Sequence, residues 1–80
     1  MNTTEPFALS PDRERAFWAL AEKLGLDLGA SALTLARRVA NSGSSDAIAV
    51  GAAAELLWHI KQGRPVEFLQ RPAPVGGVTR

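Results

Sequence analysis

Apolar positions along this chain recur at helical spacing in three stretches, and punctuation marks the ends of each. Phe17, Leu20, Ala21 and Leu24 fall on one face of a first segment opened by Ser10-Pro11-Asp12. Ser10 suits the cap, Pro11 the first helical position and Asp12 the positive end of the helix. Gly25 offers a left-handed C′ residue, so the spacing predicts a helix over residues 11–24. Trp18 lies about 100° round from Phe17, off the centre of the stripe. Glu14 and Glu22 lie towards its flanks. In the second segment, residues 31–41, Ala32, Leu35, Ala36 and Val39 form an inner face, widened by Leu33 and Ala40. Thr34, Arg37, Arg38 and Asn41 form the outer one. Ser42-Gly43-Ser44-Ser45 reads as a loop. A third helix over 46–62, capped by Ser45 or Asp46, ends before Gly63 and Pro65.

The third segment carries two apolar lines. Ala49, Ala52, Ala53, Leu56, Leu57 and Ile60 make a broad face, and Ala47, Gly51, Ala54 and Trp58 make a second. Glycine inside a helix is unfavourable by roughly 0.8–1 kcal/mol relative to alanine, so close approach of another group is the expected compensation at Gly51. Two readings stand open. The helix is central and buried on two sides, or the second line is a small-residue groove ending at Trp58 that receives a partner. Trp18 and Trp58 divide in the same way between core and interface, since tryptophan serves both.

These elements predict a compact all-α domain of three helices spanning residues 10–69. Residues 1–9 read as a flexible arm from which Phe7 and Leu9 dock onto the core. Residues 70–80, with two Pro and two Gly, read as a flexible tail. Val66-Glu67-Phe68-Leu69 fits either one helical turn after Pro65 or an extended segment pinned to the core. No strand alternation or internal repeat is evident. The longest apolar-or-Gly run, Ala47 to Ala54, is far short of the roughly 18–20 residues a membrane span needs. Met1 to Pro6 has no positive region of the kind that opens a signal peptide, and the expectation is a cytoplasmic protein.

Composition narrows the chemistry. The 80 residues hold nine Lys/Arg, eight Asp/Glu, one His and no Cys, with 46% hydrophobic side chains. Disulfides and thiolate metal sites are excluded, and a low-hydrophobicity disordered chain is too. No His/Glu pair stands at metal-ligand spacing, and neither a Gly-x-Ser-x-Gly elbow nor a phosphate-binding glycine loop occurs. His59 reads as structural or surface, with Glu55 four residues before it as a helix-stabilising contact. The expectation is a non-enzymatic protein without cofactor or metal.

DNA binding is the rival to protein binding. Ala21 and Gly25 resemble the first half of a helix-turn-helix, but Ser31 and Thr34 then fall where apolar packing residues belong. Only Thr34, Arg37, Arg38 and Asn41 offer polar groups, and a net charge of +1 gives little counterion release. Arg37 and Arg38 are a solvated face, or the rim of a site that contacts a partner or phosphate. A self-associating structural module is a third reading, with the chain a monomer or weak homodimer.

Gly29-Ala30-Ser31 before an alanine-rich second helix, and Ile60-Lys61-Gln62-Gly63-Arg64 before a tail ending in Leu69, carry a resemblance. Over about residues 12–69 the chain resembles small helical domains of regulators of bacterial integrative and conjugative elements. That resemblance implies a stand-alone antiactivator, which binds a quorum-sensing transcription activator and represses conjugative transfer. The chain departs from larger members in lacking a basic second helix, which favours the protein-binding type. The resemblance brings no residue-level motif, so the candidate site rests on the helical wheels: Trp58, Gly51, Ala54, Ala47 and Trp18, with Arg37 and Arg38 as polar rim.

Overall fold

The computed structural model describes residues 5–72 as three α-helices: α1 Pro11–Lys23, α2 Ala32–Ala40 and α3 Ala47–Lys61. The all-α expectation holds, and the ends agree with the sequence punctuation within a residue. Ser31 caps α2 by accepting a hydrogen bond from the Thr34 amide at 3.2 Å, and Asp46 caps α3 through the Ala49 amide at 3.1 Å. Ser10 stands at the N-cap of α1, but its side chain makes no capping bond. There Pro11 removes one of the free N–H groups, and the Ser10 carbonyl accepts from Glu14 N at 2.9 Å.

Two helices stop by the same device. Gly25 (φ +72°) and Gly63 (φ +82°) take the left-handed conformation that a Cβ disfavours. This lets Leu26 N reach Ala21 O at 3.1 Å and Gly25 N reach Glu22 O at 3.0 Å. Arg64 N and Gly63 N likewise reach His59 O and Ile60 O, both at 3.0 Å. These paired bonds satisfy carbonyls that each helix end leaves free, and they turn the chain back over the domain.

Phe17, Leu20 and Ala21 of α1, Leu35, Ala36 and Val39 of α2, and Ala49, Ala52, Ala53 and Leu56 of α3 form the core. Alanine on the inner face of α3, buried at Ala49, Ala52 and Ala53, leaves room for the larger side chains of the neighbouring helices. Leu24, placed on the inner stripe by the wheel, is 40% exposed because it is the C-cap residue, where the chain turns away. Leu33 is also largely exposed.

The segments outside the helices are tied to each other. Residues 65–69 are extended: Val66 pairs with Phe7 in a parallel bridge, with Phe7 N donating to Pro65 O at 2.8 Å and Glu67 N to Phe7 O at 2.9 Å. The arm is therefore anchored rather than free in its described part, and Leu9 is buried. The tail expected from residue 70 is also displaced, since Gln70 and Arg71 are bonded to the domain. Gln70 N donates to Glu14 Oε2 at 2.6 Å, and the Arg71 guanidinium donates to Leu28 O at 2.6 Å and Ala30 O at 3.3 Å. The calls on residues 1–4 and 73–80 lie outside the described residues.

Glu14 explains how this strap is held. Its carboxylate is fully buried and accepts from Leu69 N at 3.1 Å, Gln70 N at 2.6 Å and Trp18 Nε1 at 2.9 Å. A carboxylate out of water needs such donors, and three N–H groups supply them. The position expected on the flank of α1 is thus the anchor of residues 69–70. Phe68 stacks on Phe17 (centroids 5.7 Å apart) and meets Trp18 edge-on at 4.9 Å. Arg71 lies over both the Trp18 and Phe68 rings, at 5.4 and 5.1 Å from their centroids.

Candidate functional site

The two tryptophans, alike in sequence position relative to their stripes, have opposite surroundings. Trp18 is only 4% exposed: Glu14 takes its N–H while Phe68 and Arg71 cover its ring. It belongs to the core, and the candidate interface role is withdrawn for this conformation. Trp58 is 58% exposed and stands on the outer side of α3. The central-helix reading, in which α3 is buried on both faces, therefore fails along the second line: Ala47, Ala54 and Trp58 are exposed and Gly51 is half-buried.

Gly51 needs a different account from the one its position suggests. A Cβ built on it meets nothing within 4 Å. Among the described residues no element presses against this glycine, so close packing does not explain it. Nor do Gly51 and Ala47 line the groove beside Trp58. Of the four small-and-aromatic positions, Ala54 and Trp58 alone reach it.

That groove is an open depression of ≈ 410 Å³ between two helical rows. From α2 and its C-cap come Leu33, Arg37 and Asn41, each four residues from the last. Along α3 the wall is Ala54, Leu57, Trp58, Ile60 and Lys61. Residues four apart on a helix share a face, so each row is a continuous edge. At 1.5 Å per residue the rows run about 10–12 Å, two turns of a helix. A second depression of ≈ 400 Å³ continues past Arg37 and Asn41, lined also by Leu24, Leu26, Arg38 and Ser42.

Charge along this surface has one sign. Arg37, Arg38 and Lys61 line it, and no carboxylate among the described residues does. None of these three cations has an ion-pair partner among the described residues; the pairs present are Arg13–Glu55 and Arg15–Asp12. Arg37 and Arg38 also lie in the last turn of α2, and Lys61 in that of α3, where positive charge is favoured by the helix dipole. The site is thus an apolar floor with a basic rim and a large exposed indole.

His59 faces the other way. Its ring stacks on Phe7 with centroids 3.8 Å apart and meets Trp58 edge-on at 4.9 Å. The Glu55 carboxylate, expected to contact His59 along the helix, pairs with Arg13 instead and ties α1 to α3. The arginine offers a full charge and a fork of donors where the imidazole offers one. His59 serves as the platform for the N-terminal arm, and its neighbour Trp58 is braced by that platform.

The helix-turn-helix reading requires a tight turn of three or four residues. Eight residues, Leu24 to Ser31, separate α1 from α2. Six separate α2 from α3, and α3 is mostly apolar, without the polar row that reads bases. Among the described residues no three His, Asp or Glu side chains converge as a metal site, and no helix is long and apolar enough to cross a membrane. Comparison with protein-family models, curated proteins and solved structures returns no match for this chain.

Proposed function

We propose that this protein is a non-enzymatic, protein-binding regulator that takes up a helical segment of its partner in the groove between α2 and α3. The exposed indole of Trp58 on the wall of that groove supports the reading. A large aromatic ring left half in water is unfavourable in an isolated domain, and tryptophan is enriched where partners dock. Helix-in-groove recognition needs no catalytic group. The resemblance at Gly29-Ala30-Ser31 and Ile60 to Arg64 suggests the partner: a quorum-sensing transcription activator in the cytoplasm, withheld from DNA or polymerase by the bound domain. The protein would then be an antiactivator that represses conjugative transfer.

Co-expression with quorum-sensing activators of the host and a promoter reporter tests this. The wild-type chain represses the reporter, whereas Trp58→Ala and Ala54→Arg do not, with helical spectra and melting unchanged. A shift of promoter DNA by the domain alone, kept at moderate salt, would establish DNA reading instead. A reporter unaffected by the wild-type chain removes the antiactivator role.

A further inference from the structure

Resting on the groove reading above, we infer that the segment it accepts is an acidic amphipathic helix of about two turns, whose carboxylates meet Arg37, Arg38 and Lys61. Three observations carry this. The length of the paired rows, about 10–12 Å, matches apolar side chains at positions i, i+3 or i+4, and i+7 of one helix. Leu33, Ala54 and Trp58 give the floor such a stripe requires. The three cations around it have no ion-pair partner among the described residues, although the chain carries nearly as many acids as bases.

The same charges argue against the other occupants. In a symmetric dimer built on this face, the face meets itself, and the basic rims of two copies oppose one another. The chain's own residues 73–80 carry Arg80 and no acidic side chain, and residues 1–4 carry no charged side chain, so neither complements the rim. Nucleic acid supplies negative charge but leaves the leucine and alanine floor unmatched. A helix with leucines on one face and glutamates beside them satisfies both parts. Unlike charges steer the encounter and set orientation, while Trp58 contributes the apolar anchor.

The probe is a pair of synthetic helical peptides of about 18 residues, long enough to hold a helix. They share one leucine stripe and differ in its flanks, glutamate in one and lysine in the other. Fluorescence anisotropy of the labelled peptides at low ionic strength, with the full chain, is expected to show the glutamate peptide bound about tenfold more tightly. Raising the salt reduces that preference, and Arg37→Glu with Lys61→Glu reverses it. Trp58→Ala abolishes binding of both peptides.

Equal affinities, or a preference for the lysine peptide, overturn the inference. So does a dimer in sedimentation that Trp58→Ala dissolves. Tighter binding of a single-stranded oligonucleotide, displacing the glutamate peptide, overturns it in favour of nucleic acid. If neither peptide binds but the reporter is still repressed in a Trp58-dependent way, the acidic-helix inference falls and the regulator reading stands. Peptide preference as stated, with no reporter effect, separates them in the opposite sense.

Discussion

Replacing Glu14 by glutamine keeps the shape of the side chain and removes only its charge and one acceptor. In the native protein Oε2 serves Gln70 N at 2.6 Å and Trp18 Nε1 at 2.9 Å, while Oε1 serves Leu69 N at 3.1 Å. The amide of the variant is best placed with its oxygen towards the first two donors, so its NH2 faces the Leu69 amide. Two charge-assisted bonds then become neutral ones, a loss of about 1 kcal/mol each. The Leu69 N–H confronts another donor, which adds about 1 kcal/mol or more. The sum, about 3 kcal/mol, corresponds to a fall in Tm of ~12–24 °C for a domain of this size. If the strap detaches to relieve the clash, the loss is capped at its docking energy, and water reaches the Trp18 ring. Thermal and urea melts followed by circular dichroism measure the first effect. Red-shifted fluorescence of Trp18, read in a Trp58→Phe background, measures the second. A Glu14→Gln variant within about 0.5 kcal/mol of the parent, with unshifted emission, would refute the claim that this carboxylate anchors residues 69–70.

Further expectations concern the ends of helices and the outer face of α3. Gly51→Ala raises stability by about 0.5–1 kcal/mol in urea titration, because the new methyl group gains helix propensity and meets nothing; destabilisation would mean that something does pack there. Asp46→Ala costs about 1 kcal/mol, whereas Ser10→Ala costs less than about 0.5, since only the former side chain bonds a free amide. Gly63→Ala costs about 1–2 kcal/mol through its positive φ. Arg71→Ala lowers stability by about 1 kcal/mol by uncovering the Trp18 and Phe68 rings, and Trp18 emission moves with it.

What the sequence discloses here is whatever is decided within a turn of helix. Asp46, Gly25 and Gly63 each act on amides or carbonyls a few residues away, and their roles were legible from spacing alone. So were the exposed Arg37 and Arg38 and the buried Leu35 and Leu56. The strap was not. Glu14 looks like an ordinary flanking charge until the chain returns 55 and 56 residues later with two amides that lack partners. Its one local sign was Trp18, four residues on, whose indole N–H needed an acceptor. The tryptophans make the same point. Both lie off their stripes, and what separates them is a distant segment, Phe68 and Arg71, that covers one and leaves the other bare. Gly51 misled because mid-helix glycine suggests crowding, yet the space beside it is open.

The strap also sets an order of events during synthesis. Residues 11–61 hold all three helices, and Trp18 gives Glu14 one donor within α1, but the other two donors and the cover of the Trp18 ring come from Phe68, Leu69, Gln70 and Arg71. At about 5–20 residues per second, a ribosome leaves the first helix waiting for seconds with a carboxylate short of two donors beside an uncovered indole. The helix made first is therefore the last of the three to gain its full set of contacts, because residues 68–71 follow α3 in the chain.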